Sequence, residues 1–172
     1  MALRRLIKQR SIVEDGWTLL RPADDGALPA VPAEGAVIVP LALWQQERET
    51  LLARSAPLGV WLGPADEPAS IAEDVQRFPV IAVDFPVFTD GRGYSIARLL
   101  RQRYGYKGEL RAIGDVLRDQ LFYLQRCGFD AFAVREGRDI EDALKGLNDF
   151  SEAYQVSVER PVPLFRRRAG TA

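Results

Sequence analysis

Five short apolar runs, each too brief for a helix, recur along this chain with helix-period segments between them, and that alternation limits its fold more than any single residue does. The runs are Ala36 to Pro40, Leu58 to Leu62, Val80 to Asp84, Leu110 to Ile113 and Ala131 to Val134. Runs of this length between amphipathic segments read as βα units around a parallel sheet. The expected fold is therefore α/β, a single domain with a mainly parallel sheet of about five strands flanked by helices. Helices are expected near Leu41 to Arg54, Ala69 to Phe78, Tyr94 to Tyr104, Asp115 to Cys127 and Asp139 to Phe150. Gly105 and Gly128 are placed to close two of them, and Asp115 and Asp139 suit N-cap positions.

Ahead of this body, Leu6 to Val13 and Trp17 to Leu20 read as two extended pieces with Glu14, Asp15 and Gly16 as the turn, a short N-terminal hairpin or edge strand. Residues 21–35, RPADDGALPAVPAEG, hold too few large apolar side chains to pack alone and read as a surface connection. Residues 1–35 are thus a hairpin and connection packed on an α/β domain spanning 36–160. Past Phe150, one alternating piece from Tyr154 to Val158 is expected to return as an edge strand, ahead of a basic tail over 161–172.

With 172 residues, 47% hydrophobic and 27% charged, the composition fits one globular domain. No window approaches the roughly 18 consecutive apolar residues of a membrane span, and the opening MALRRLIKQR lacks the apolar stretch of a secretory signal. A cytoplasmic protein with no membrane partner is the expectation. A net charge of -1 argues against a general nucleic-acid binder. Absent residue types narrow the chemistry further. No histidine and a single cysteine, Cys127, exclude a Ser-His-Asp or Cys-His arrangement, a histidine-ligated zinc, an internal disulfide and a self-contained iron-sulfur cluster. A metal site built from carboxylates alone stays open. No motif holds a cofactor, so redox chemistry would need an exchangeable cofactor of unknown identity or a partner protein.

Ligands of α/β sheets collect beyond the carboxyl ends of the strands, which here are left by Asp84 and Phe85, Gly114 and Asp115, and Arg135 and Glu136. After the third run comes a loop of Thr89, Asp90, Gly91, Arg92 and Gly93, with a helix opening at Tyr94. Backbone amides, two glycines and the Arg92 guanidinium suit a sulfite, sulfate, phosphate or carboxylate. Equally, Asp90 as a helix cap, the glycines as turn formers and Arg92 as a solvated charge account for the same residues. The loop is neither a dinucleotide fingerprint nor a Walker A loop. From Arg92 to Arg111, the cations Arg92, Arg98, Arg101, Arg103, Lys107 and Arg111 are opposed only by Glu109, with Asp84, Asp115 and Asp119 available to orient them. Such a stretch reads as an attractor for a small anion or an acidic protein face, or as a solvated surface. Phe122 projects from the charged side of its helix, near Arg118 and Asp119, as an isolated ring or a partner contact, while Cys127 lies in the apolar arc as a core thiol.

The run TDGRGYSIARLLRQRYGYKGELRAIGDVLRDQLFYLQRCGFDAF resembles a bacterial family of unknown function whose members are described as oxidoreductases involved in sulfite reduction. The likeness is close from Phe78 to Phe132 and looser elsewhere, including the opening LIKQRSIVEDGWTLL. The resemblance implies a neighbourhood of assimilatory sulfite reductase and other sulfur-assimilation enzymes, with no catalytic residue set to carry over. It implies an accessory protein that docks on sulfite reductase or on its electron-donor protein. The alternatives are a small-oxyanion-binding enzyme or module of sulfur metabolism, and a scaffold without catalysis.

Overall fold

A mixed eight-stranded sheet organises the chain, and the computed structural model describes residues 4–169 of it. β1 (Arg5–Lys8) and β2 (Ser11–Glu14) form an antiparallel hairpin. β3 (Trp17–Leu19), β4 (Ala36–Pro40), β5 (Leu58–Leu62), β6 (Val80–Phe85), β7 (Glu109–Gly114) and β8 (Ala131–Phe132) are parallel and lie side by side in chain order. β1 then adds antiparallel to β8, giving the order β2-β1-β8-β7-β6-β5-β4-β3. The five expected runs are β4 to β8. The expectation of about five mainly parallel strands nevertheless falls short, because the N-terminal hairpin and Trp17–Leu19 join the sheet as members.

Chain length forces this sheet to curl. Its two edge strands, β2 and β3, are separated only by Asp15 and Gly16, a step of at most about 11 Å. Laid flat, eight strands would hold those edges about 34 Å apart. The segment from Ser11 to Leu19 is therefore one bent strand, pairing with β1 through its first half and with β4 through its second.

Right-handed crossovers that always step in one direction place every connection on the same face. α1 (Leu41–Leu52), α2 (Arg92–Gln102) and α3 (Arg118–Cys127) accordingly cover the outside, packed on Val37, Val39, Val60, Ile81, Val83, Phe85, Leu110 and Ala112. Gly93 lets the first turn of α2 sit directly on β6, since a Cβ there would lie 2.7 Å from the Phe85 ring. Alternate strand residues face inward. There Ile38, Val80, Ala82 and Ile113 form a second, smaller cluster with Trp17, Leu19 and Trp61 around it.

Between those inward apolar residues runs a chain of charges. Lys8 reaches Glu109 at 2.7 Å, Glu109 accepts from Arg111 at 2.7 Å, and Arg111 donates to both oxygens of Asp15 at 3.0 Å. Asp15 also accepts from the Trp17 amide at 3.1 Å, which shapes the bend, while its own amide donates to the Arg4 carbonyl at 2.7 Å. The bent strand is thus tied to the opposite wall.

Other expectations are corrected by the packing. The N-terminal turn is at Gln9 and Arg10, with φ of 48° and 65°, not at Glu14 to Gly16, where only Asp15 and Gly16 separate β2 from β3. Residues 69–78 form two 3-10 turns, Pro68–Ile71 and Val75–Arg77, around Asp74, whose carboxylate takes Arg48 at 2.8 and 2.9 Å and Arg77 at 3.1 Å. Asp139 caps α4 (Ile140–Lys145) as expected, accepting from the amides of Glu141 and Asp142, but Leu117 stands at the N-cap of α3 in place of Asp115. Tyr154 to Val158 forms no strand, since both sheet edges are already used by the bent strand. Within the expected basic tail, Leu164–Ala169 forms a short helix, α5, and residues 170–172 lie outside the described residues.

Breaking the inner charge chain should open this closure. Arg111→Met, which keeps the volume and strands Asp15, is expected to cost about 3–5 kcal/mol in urea unfolding. A loss below about 1 kcal/mol would show that the chain does not hold the curl.

Candidate functional site

Parallel strands in sequential order deliver all their carboxyl ends to one mouth of the curled sheet, the end where α/β proteins place their ligands. Asp84 stands at the inner side of that end of β6, buried, with Arg21 gripping both its oxygens at 2.6 and 3.2 Å. Arg21 leaves β3 and lies 5.2 Å from the centre of the Trp61 ring, whose indole donates to the Leu20 carbonyl at 2.9 Å. Asp115, just past β7, accepts from the Phe88 amide at 3.1 Å and from Arg135 at 3.1 Å, tying together the loops after β6, β7 and β8.

Beside these residues opens a cavity of about 520 Å³. Six arginines line it: Arg4, Arg5, Arg21, Arg111, Arg135 and Arg138. Its apolar floor includes Leu19, Ile38, Ile113 and Ala133. Arg21 and Arg111 are committed to buried carboxylates. Arg5 and Arg135 make solvent-exposed pairs with Glu141 at 2.7 Å and Asp115 at 3.1 Å. The side chains of Arg4 and Arg138 make no hydrogen bond or ion pair among the described residues. Among those residues there is also no group of three acidic or cysteine side chains placed to hold a metal ion.

The predicted site residues divide over this frame. Asp84 and Asp115 sit at the mouth, as does the loop from Thr89 to Gly93, joined to Asp115 through Phe88. Within that loop the Arg92 guanidinium is closed on Asp90, at 3.0 and 2.7 Å, and Asp90 also accepts the Arg92 amide at 3.1 Å. The Arg92 guanidinium, aided by that amide, holds the Asp90 carboxyl below the ordinary range. Gly93 serves helix-to-sheet packing and Thr89 is solvent-exposed. Tyr94 packs at steep ring angles between Phe85 at 5.2 Å and Tyr123 at 5.0 Å, and its burial raises the phenol pKa.

Farther away, Arg101 is half-buried at the opposite end of the sheet, donating to the carbonyls of Tyr106, Gly108 and Gly128 at 2.8 to 2.9 Å. Those three carbonyls hold it as a structural clamp. Arg118 pairs with Asp142 at 3.5 Å and Asp149 at 3.1 Å, and Asp119 is exposed in the first turn of α3. Phe122 is covered by Phe150, with ring centres 5.0 Å apart, so it is not an outward ring. Arg98 stays exposed on α2, bonded to Gln102 at 2.9 Å.

Arg4, Arg5, Arg21 and Arg138 were not recognised as site residues from the sequence. Arg111 was named only as one cation of the stretch from Arg92 to Arg111, although its alternation with Leu110 and Ala112 marks it as an inward position of its strand.

A family model for a bacterial protein of unknown function (DUF934) matches residues 59–165. The chain belongs to that family. Its matched region runs from β5 to α5 and includes the strand exits at Asp84, Asp115 and Arg135, while Arg4, Arg5 and Arg21 precede it. The family's description names no activity, and no curated protein matches the chain. Among the described residues no helix is long and apolar enough to cross a membrane.

Cys127, the last residue of α3, is buried in the main core, and that burial raises its thiol pKa. It lies outside the mouth and suits no nucleophilic role, because the thiolate is the reactive form. Maleimide labelling at neutral pH should be slow in the folded protein and rapid in urea. Fast labelling of the folded state would contradict this placement.

Proposed function

We propose that this protein is a small-oxyanion-binding member of sulfur metabolism, with its site in the arginine-lined mouth. One observation carries the reading: six arginine residues line a single cavity at the carboxyl ends of the parallel strands. Two of them, Arg4 and Arg138, make no ion pair among the described residues, although Asp15 and Glu136 line the same cavity. Arg5 and Arg135 can turn to a ligand at small cost, because exposed ion pairs contribute only about 0–1 kcal/mol. Arginine also matches the bidentate geometry of tetrahedral oxyanions and carboxylates. The loop of Asp90 and Arg92 is the weaker candidate, since its carboxylate already occupies its cation. The link to sulfite comes from the resemblance of the central run to families described in sulfite reduction.

Titration calorimetry with sulfite, sulfate and phosphate at low salt tests this. Binding is expected to weaken at least tenfold in an Arg4→Glu, Arg138→Glu double variant, and to fade as salt shortens the Debye length to about 8 Å or less. No heat from any of the three anions below about 10 mM would end the reading.

A second reading, an accessory protein docking on sulfite reductase or its electron donor, is favoured by a different face. Leu99 and Tyr123 are 40% and 52% exposed. Arg98 and Arg103 flank Leu99 in a shallow depression, and α2 contains no acidic residue. Such a face suits an acidic partner with an apolar centre. With purified sulfite reductase and its donor protein, Arg98→Glu, Arg103→Glu should slow association and weaken binding at least tenfold at low salt. Equal binding by the variant, or none by the wild type, would remove this reading.

A further inference from the structure

The cavity at the mouth is far larger than an inorganic oxyanion requires, and its floor is of a different chemistry from its rim. At about 520 Å³ it falls in the range that takes a drug-sized ligand. The charged rim comes from Arg4 on the approach to β1 and Arg138 on the loop after β8, both at one side of the opening. The floor is made by Leu19 of β3, Ile38 of β4, Ile113 of β7 and Ala133 just past β8, inward positions that belong to the inner cluster or pack against it. Arg21 bars the remaining side, held on Asp84 and over Trp61.

Resting on the anion-binding reading above, we propose that the occupant is an organic anion: an acidic head on the arginine rim and an apolar body laid on the floor of Leu19, Ile38, Ile113 and Ala133. A sulfate or sulfite ion would satisfy the rim and leave that floor wet, whereas an apolar body would remove it from water. Burial of a methylene contributes about 0.8 kcal/mol, equivalent to about a fourfold gain in affinity. Trp17 and Trp61 pack against the same cluster, and their fluorescence provides the readout.

The test uses the full chain and a homologous series of methane-, butane- and hexanesulfonate, with sulfate as the headgroup alone and hexanol as the body alone. Affinity should rise with each methylene by up to about fourfold, with sulfate weak and hexanol weaker still. Leu19→Asn, or Ala133→Asn should the first variant fail to fold, is expected to flatten that gradient while leaving sulfate affinity unchanged. Arg4→Glu, Arg138→Glu should weaken every sulfonate by one common factor. Sulfate binding as tightly as hexanesulfonate would overturn the inference and leave the anion site standing. Hexanol matching hexanesulfonate would overturn it by removing the headgroup, and no binding by any member would end both readings together.

Discussion

The Arg111 guanidinium, held between Asp15 and Glu109 inside the curled sheet, is the contact on which the arrangement depends. Only 4% of its side chain is exposed, so its charge has no recourse to water and must be met by carboxylates at fixed positions. Ion pairs of this kind add little net stability, because desolvation offsets their attraction, but they penalise every arrangement that separates the partners. A one-residue slip of β7 would turn Arg111 and Glu109 into the layer beneath the helices, in the places of Leu110 and Ala112. Asp15 adds the second half of the effect. It stands at the bend of the strand that forms both edges of the sheet, so satisfying Arg111 also brings those edges together.

That closure determines where ligand chemistry can occur. With all crossovers on the outside, the inner face has no helix to cover it, and its upper opening collects the exits of β3, β6, β7 and β8. The antiparallel β1 enters the row from the same end, which delivers Arg4 and Arg5 to the rim from the start of the chain. In an open sheet these residues would lie at a far edge. The cation-rich mouth therefore follows from the curl and from the direction of β1, more than from any local motif.

Period and punctuation made the central body legible. β4 to β8 were readable because each is an apolar run bounded by turn residues, and the helix end at Gly128 because φ of 114° needs glycine. Asp84, Asp115 and Arg135 were readable as strand exits. The hairpin turn escaped because Gln9 and Arg10 carry none of the Asn-Gly character that usually announces two positive φ values. Trp17 to Leu20 was legible as extended, but as an arm of a hairpin and not as a parallel neighbour of β4, and so Arg21 at its exit went unnoticed. The partners of Arg101 and Phe122 were not legible, for a shared reason. A wheel shows which way a residue points on its own helix, but not that the carbonyls of Tyr106, Gly108 and Gly128, or the ring of Phe150, come from elsewhere in the chain to meet it.

The same logic separates structural from available cations at the mouth. Arg21 and Arg111 each face a carboxylate that is itself buried, so withdrawing either would leave an unpaired charge in a dry site, at a cost of several kcal/mol. Arg5 and Arg135 face carboxylates that keep access to water, Glu141 at 58% exposure and Asp115 at 21%, and both arginines are themselves more than half exposed. Their pairs break cheaply because solvent recovers both charges. Burial of the partner, and not the number of hydrogen bonds, thus decides which guanidinium groups a ligand can recruit. By that criterion the recruitable set lies on one side of the opening, on the approach to β1 and the loop after β8, while Arg21 and Arg111 stay fixed on their carboxylates.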